Sequence, residues 1–550
     1  MRNILLATFA AATLAGCAVT EPRSTEPVAV KVLAINDFHG NLKPPLGGIR
    51  IKDPADPTKT VNVPAGGAEF LATAVAELRK KNPNHIFVAA GDLVGATPLL
   101  SALFRDEPTI ESMNMMGLEV TAVGNHEFDH GTAELLRLQK GGCHPTEGCK
   151  GPKPFEGAKF KYLAASTIDT RTGETLLPAY HVKRFGGIPV AFIGLTLKDT
   201  PTIVVPSGVV GLRFLDEADT VNELVPQLKK QGIEAIVLLI HEGGVPVGDY
   251  NECPGLSGAI DGIVKRLDKA VDVVVSGHTH RAYNCRIDGR LVTSADKFGT
   301  IVTEIDLVLD PKTGDVMSSK ADNLIVRNDR FAKDAAQTQL IAAYEQRSAP
   351  LAKRVVGRIA APLPRDANPA GESPVGQVVA DAQLAGTQAA ADGGAQIALM
   401  NPGGLRAALA PAGGEVRYED LFAVQPFYNN LVTITLTGAQ IVQLLEQQWL
   451  NQTQPRILQV SRGFAYTWDA AKPVGQRVVP GSVTLNGQAL VPTASYRVAV
   501  NSFLAAGGDN FTVFRQAQAP RTGLMDVDAF EQYIAKGAVG TFAPRVQRLN

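Results

Sequence analysis

From Val28 to Val326 the chain sets short apolar runs against longer stretches of mixed polarity. The runs are VAVKVLAI (28–35), HIFVAA (85–90), VTAV (120–123), IPVAFIGL (188–195), EAIVLLI (234–240) and VDVVV (271–275). They are short and rich in β-branched residues, which predicts strands. Between them, GAEFLATAVAELRKK (67–81) and ADTVNELVPQLKKQ (218–231) predict helices. This alternation argues a layered α/β domain. Residues 332–349 lack Gly and Pro and predict one connecting helix, followed by the Pro-rich step APLPRDANPAGESP (361–374). Beyond it the pattern is again mixed, with a helix predicted over AQIVQLLEQQWL (439–450) and a strand over LVTITLTG (431–438).

Length adds a boundary to this picture, because 550 residues exceed what one hydrophobic core serves. Lys plus Arg (53) nearly balance Asp plus Glu (54), so no overall field recruits a nucleic-acid polymer or an anionic surface. A charged ligand needs a local site. At the N-terminus a positive charge, the apolar stretch ILLATFAAAT and LAGC (14–17) read as an export signal. The placement of Cys17 resembles the lipobox of bacterial lipoproteins, with residues 18–27 as a tether. Ala18 favours the outer membrane. Cys143, Cys149, Cys253 and Cys285 remain, an even count that favours disulfides in an exported chain. The natural connections are Cys143–Cys149 and Cys253–Cys285, with a zinc site from the same thiols as the competing reading.

The residues just beyond the apolar runs carry the chemistry. VAVKVLAI leads to Asp37 and His39, HIFVAA to Asp92, VTAV to Asn125, His126 and Asp129, EAIVLLI to His241, and VDVVV to His278 and His280. Five strands thus deliver metal-capable side chains at their C-terminal ends, the rim at which α/β sheets bind ligands. Imidazoles, carboxylates and one amide oxygen suit Zn²⁺ or Mn²⁺.

DFHG, GD, GNHEFD and GHTH, in this order, resemble the calcineurin-like metallophosphoesterases. With the C-terminal motifs NPGGLR (401–406), LFAVQPFYNN (421–430) and NSFLAAGGDNF (501–511), the chain is similar to the bacterial and animal 5′-nucleotidase family over nearly its whole mature length. The resemblance implies an N-terminal four-layer metallophosphoesterase sandwich (28–326), a linker with the connector helix (327–360) and a C-terminal α/β substrate-binding domain (361–550). It implies two divalent metal ions, one held by Asp37, His39 and His280 and the other by Asn125, His241 and His278, with Asp92 between them. Some relatives carry Gln where His280 stands. His126 and Asp129 correspond to a catalytic dyad, and Glu127 to a surface or supporting group. Phe427 and Phe503 correspond to rings that sandwich a nucleobase, Asp509 to a ribose acceptor, Arg406 to a phosphate or ribose donor, and Asn401 to a group at the base edge. Three departures stand out: Pro402 follows Asn401, Gly371 stands where some nucleotidases carry a substrate-binding Arg, and Asp296 stands where Gly is expected.

The expected activity is hydrolysis of nucleoside 5′-phosphates to nucleoside and phosphate. The alternatives are UDP-sugar hydrolysis, or 2′,3′-cyclic nucleotide phosphodiesterase and 3′-nucleotidase action with the same metals. More distant is a non-catalytic surface binding protein. The expected partners are a small nucleotide and a membrane reached only through the N-terminal lipid, with the protein a monomer in the periplasm or cell envelope.

Overall fold

A computed structural model describes residues 23–537, 539 and 542–550. Cys17 and the export signal lie outside the described residues. The six apolar runs become strands with nearly the predicted limits, β1 (Val28–Ile35), β2 (His85–Ala89), β3 (Val120–Ala122), β6 (Ile188–Thr196), β7 (Ala235–His241) and β8 (Val273–Ser276), and two strands that no run marked, β4 (Lys161–Leu163) and β5 (Tyr180–Phe185), lie between them. Four more complete the set: β9 (Ala282–Ile287), β10 (Arg290–Ala295), β11 (Ile301–Leu309) and β12 (Val316–Ile325). They form two six-stranded sheets, ordered β12-β11-β1-β2-β3-β4 and β9-β10-β8-β7-β6-β5. The strands that carry the motifs run parallel within each sheet, so their C-terminal ends share an edge.

The two sheets pack face to face through Val30, Val32, Val88 and Val120 on one side and Val190, Phe192, Val237 and Val275 on the other. Helices α1 (Ala68–Arg79), α2 (Glu107–Met116) and α3 (Thr132–Lys140) cover the outer face of the first sheet, where Leu33, Ile35 and Phe87 meet Leu71, Val75 and Ile110. Helices α4 (Glu217–Lys230) and α5 (Ala259–Arg266) cover the second, against Ile193, Ile236 and Leu238. Burial on both faces explains why these strands read as continuous apolar runs. The result is the four-layer α/β/β/α sandwich.

Helix α6 (Ala335–Ala352) is the connector. The Asp334 carboxylate caps its start by accepting the Gln337 N–H at 2.9 Å. It ends three residues beyond the predicted limit because Pro350 sits in its last turn, which the Lys353 N–H closes on the Ala349 carbonyl. The C-terminal domain is built on a five-stranded sheet of β13 (Ile397–Met400), β14 (Asn430–Thr437), β15 (Gln459–Val460), β16 (Ser495–Asn501) and β17 (Gln518–Met525), in the order β15-β13-β16-β14-β17. Helices α7 (Pro374–Thr387) and α9 (Asp526–Ala535) pack together through Val375, Val379, Phe530 and Ile534. Helix α8 (Gly438–Glu446) stops four residues before the predicted end, where Trp449 turns in to pack on Trp468 at 5.0 Å.

The predicted tether over 18–27 is docked where it is described. The Ser24 N–H donates to Gly186 O at 2.8 Å, on the β5–β6 hairpin. Among the described residues, no helix is long and apolar enough to cross a membrane.

Candidate metal centre and aromatic cleft

Asp37 and His39 follow β1, Asp92 follows β2, and Asn125 and His126 follow β3. His241 ends β7, and His278 and His280 follow β8. The rim is therefore shared by two sheets rather than one. Five of these residues, Asp37, His39, Asp92, His278 and His280, have φ between 46° and 69°. That left-handed backbone costs a non-glycine residue about 1–3 kcal/mol. Pairing between loops holds it in place: Asp37 N–H donates to Gly91 O and His39 N–H to Asp92 O, each at 3.0 Å. The same backbone state occurs at Asp296, φ 59°, and accounts for the expectation of Gly there.

Hydrogen bonds aim the rings. His39 Nδ1–H donates to Gly95 O at 2.8 Å and His241 Nδ1–H to Ala90 O at 2.7 Å, which leaves each Nε2 lone pair facing inward. His39 Nε2 lies 3.1 Å from His280 Nε2, which is 3.3 Å from Asp37 Oδ1. Asn125 Oδ1 lies 3.0 Å from His278 Nδ1 and 3.2 Å from His241 Nε2. Asp92 Oδ2 faces both groups, 3.0 Å from His241 Nε2 and 3.6 Å from His39 Nε2. Asp37 Oδ1 is buried without a hydrogen-bond partner. Ligating atoms of Asp37, His39 and His280, and of Asp92, His241 and His278, converge within 4.8 Å in each set. An orphaned carboxylate oxygen amid inward lone pairs fits a pair of divalent cations. Glycines make room: a Cβ at Gly124 would stand 2.2 Å from Asp92 Oδ1, and one at Gly91 2.7 Å from His241 Nδ1.

Charge follows this geometry. With no cation bound, burial opposes protonation of His241, but the Asp92 carboxylate overrides it and raises the imidazole to about 10, so a cation at Nε2 would displace that proton. Burial, aided by His241, lowers His278 to about 4. Glu127 is not a surface group. It is buried, and its carboxylate accepts backbone N–H groups of Asp92, Leu93 and Gly124 at 3.0, 2.8 and 2.6 Å. It thereby clips the loops after β2 and β3 together. Burial, followed by Asp92, pushes it up to about 8.

His126 Nδ1–H donates to Asp129 Oδ2 at 2.8 Å, so Nε2 is free at the edge of the cluster. Against burial, Asp129 and Asp92 raise the imidazole's pKa. Its ring stacks on Phe427 at 5.9 Å and lies in the wall of a cleft of about 150 Å³. The C-terminal domain supplies Asn401, Arg406, Phe427, Phe503 and Asp509 to that cleft, so every predicted substrate residue is brought to it. Arg406 reaches within 3.5 Å of His39 Nε2, and its guanidinium lies 5.9 Å from the Phe427 ring. Asn401, held extended by Pro402, donates from Nδ2 to Asp509 Oδ2 at 2.8 Å.

Gly371 has φ 99°, and a Cβ there would meet Ile457 at 2.5 Å, so no longer side chain fits. Burial, followed by the cations Lys297, Arg406 and Arg365, holds the His280 imidazole well below its usual range. Sequence reasoning also missed Arg456 and the wall formed by Ile203, Val204 and Val205. The isolated Arg in QPRILQV carried no motif, and an apolar loop looks like any core segment. Cys143 pairs with Cys149 and Cys253 with Cys285, at Cα separations of 4.6 and 5.3 Å.

Known proteins match both halves of the chain. The calcineurin-like phosphoesterase profile matches residues 30–282, and that of the 5′-nucleotidase C-terminal domain matches 355–516. Endonuclease YhcR of Bacillus subtilis is 31% identical over 96% of this chain, which spans only 41% of that protein's length. Cell wall protein Lmo0130 of Listeria monocytogenes is 31% identical over 94% of this chain, which spans 68% of it. A crystal structure of a 5′-nucleotidase precursor from Thermus thermophilus, 28% identical, superposes with a TM-score of 0.77 over 95% of this chain and 99% of its own. Both domains and their order agree: the chain belongs to the 5′-nucleotidase family of calcineurin-like metallophosphoesterases.

Proposed function

We propose that this protein hydrolyses nucleoside 5′-phosphates to nucleoside and phosphate. One observation carries the reading: the metal-type cluster and the His126–Asp129 pair open into the same cleft that holds Phe427 and Phe503. Asp37, His39 and His280 would hold one divalent cation and Asn125, His241 and His278 the other, with Asp92 between them. When bound, two such ions supply charge that stabilises phosphoryl oxygens and makes hydroxide available near neutral pH. The donor set, without thiolate, favours Zn²⁺ or Mn²⁺.

The chain's own groups do the rest. Phe427 and Phe503 hold the base by stacking, and Asp509 accepts from ribose hydroxyls. The planar fork of Arg406 donates to phosphate oxygens. Asp129 fixes the tautomer of His126, whose Nε2 stabilises charge on the phosphoryl group or protonates the departing ribose oxygen. A phosphate-release panel tests the assignment: AMP, UMP, 3′-AMP, 2′,3′-cyclic AMP, ADP and UDP-glucose, with Mn²⁺ or Zn²⁺ restored after chelation. Preference for the 5′-monophosphates is expected; release only from cyclic nucleotides or UDP-glucose would overturn it.

The same proposal places the protein outside the cytoplasm, anchored through lipid on Cys17, and active as a monomer. Support comes from the two disulfides and from the cell-wall description of the Listeria relative. In addition, Ser24 docks beside the start of β6, at the end of the strands opposite the cleft. Labelled fatty acid should enter the wild type and not Cys17→Ser; equal labelling would refute the anchor.

A further inference from the structure

The cleft holds a guanidinium that the proposed reaction does not use. Arg456 lines it beside Phe503, Asn401 and Asp509. One amino group of Arg456, Nη1, pairs with Asp509 Oδ1, and among the described residues its guanidinium makes no other hydrogen bond. Nη2 and Nε therefore remain unspent, on a side chain 28% exposed.

The polarity of its surroundings is fixed by a chain of bonds that begins at the backbone. Leu504 N–H donates to Asn501 Oδ1 at 2.8 Å. Asn501 must then present Nδ2, which donates to Asn401 Oδ1 at 2.9 Å. Asn401 in turn presents Nδ2 to Asp509 Oδ2 at 2.8 Å. Because a backbone N–H cannot reverse its role, neither amide can flip without stranding a buried group. The oxygens of both Asn side chains are engaged inside the protein. What these four side chains leave for a ligand is one N–H of Asn401, the free donors of Arg456, and the residual lone pairs of Asp509.

Building on the nucleotide reading of this cleft, we propose that Arg456 is a specificity-determining residue selecting nucleotides with an oxo base. Ribose hydroxyls take the lone pairs of Asp509. A base stacked between Phe427 and Phe503 meets donors at its edge. Guanine and hypoxanthine offer O6 and N7, and uracil offers carbonyl oxygens, whereas adenine and cytosine bring amino hydrogens against N–H groups. Discrimination arises both from the pairing gained and from the donors left unpaired by the wrong base.

IMP and AMP give the sharpest comparison, because on the edge formed by N7 and position 6, which suits a guanidinium fork, their bases differ only in presenting O6 or an amino group. The metal-reconstituted enzyme is expected to favour IMP and GMP over AMP by roughly tenfold or more in kcat/KM. Arg456→Lys keeps a cation for Asp509 but loses the fork; its IMP-to-AMP ratio should fall to within about threefold of unity, through the KM for IMP with kcat retained. A wild-type ratio at or below one overturns the proposal. So does a variant that weakens IMP and AMP equally, since that is the mark of a group that only braces Asp509. Calorimetric titration with inosine and adenosine separates this inference from the reaction. Preference for inosine without turnover of any nucleotide upholds Arg456 and removes the nucleotidase reading. Binding of neither nucleoside overturns both.

Discussion

The metal-type cluster and the polar floor of the cleft are both buried and rich in charge, yet they solve burial in opposite ways. In the cluster, side chains face one another without satisfying one another: Asp37 Oδ1 has no partner, and His39 and His280 turn nitrogens together at 3.1 Å. Such an arrangement is complete only with cations between its members. In the floor, Asn501, Asn401, Asp509 and Arg456 satisfy each other in sequence, and a ligand meets only what is left over. A cluster of converging ligating atoms selects an ion by charge and geometry. A floor already paired selects by the sign of its unspent groups.

The largest test of this contrast is Asp92→Asn, which removes the charge shared by both halves of the cluster. Bound metal, measured by elemental analysis, should fall, and kcat/KM should drop by more than roughly 10³-fold. Retained metal and activity would break the comparison on the cluster's side. His126→Ala is next. Metal content should hold while activity falls by about 10²–10⁴-fold, because the dyad's proton chemistry is separate from ion binding. On the floor's side, Phe503→Ala should raise the nucleotide KM by roughly 5- to 150-fold, the equivalent of about 1–3 kcal/mol of stacking, with metal content unchanged.

A third kind of buried carboxyl sharpens the contrast further. Asp526, at the start of α9, has neither cation nor ion pair among the described residues, and burial holds it at about 8. The unfolded chain ionises this group near 3.8 while the folded chain keeps its proton, so its contribution to stability is present in full below about pH 4 and is lost as pH rises towards 8. Asp526→Asn removes that dependence and keeps an oxygen that can accept from the Val527 N–H. Its Tm at pH 9 should exceed wild type by about 2–4 °C, with little difference at pH 4. A wild-type curve flat between those pH values would contradict the assignment.

The two regions also differ in how readily they are read from sequence. The cluster lies within a few residues of strands whose apolar runs are unmistakable, so Asp37, Asp92, Asn125, His241 and His278 announce themselves by position. The floor's motifs were legible through resemblance, but Arg456 was not. It comes from a loop without periodicity or motif and acquires meaning only when folding sets it beside Asp509. Position 371, where the resemblance places an Arg in some nucleotidases, has backbone geometry that leaves no room for a side chain, which sequence alone does not reveal.

By itself the sequence determined the layered α/β class, the strand exits that carry ligating side chains, and the order of two domains, because each is written in local runs of residue type. Tertiary structure decided that the rim is shared by two sheets, that Glu127 is a buried clip, and that Arg456 lines the cleft. Those outcomes depend on contacts between segments up to hundreds of residues apart. Hydrophobic periodicity records which face of an element is covered, and it says nothing about what covers it.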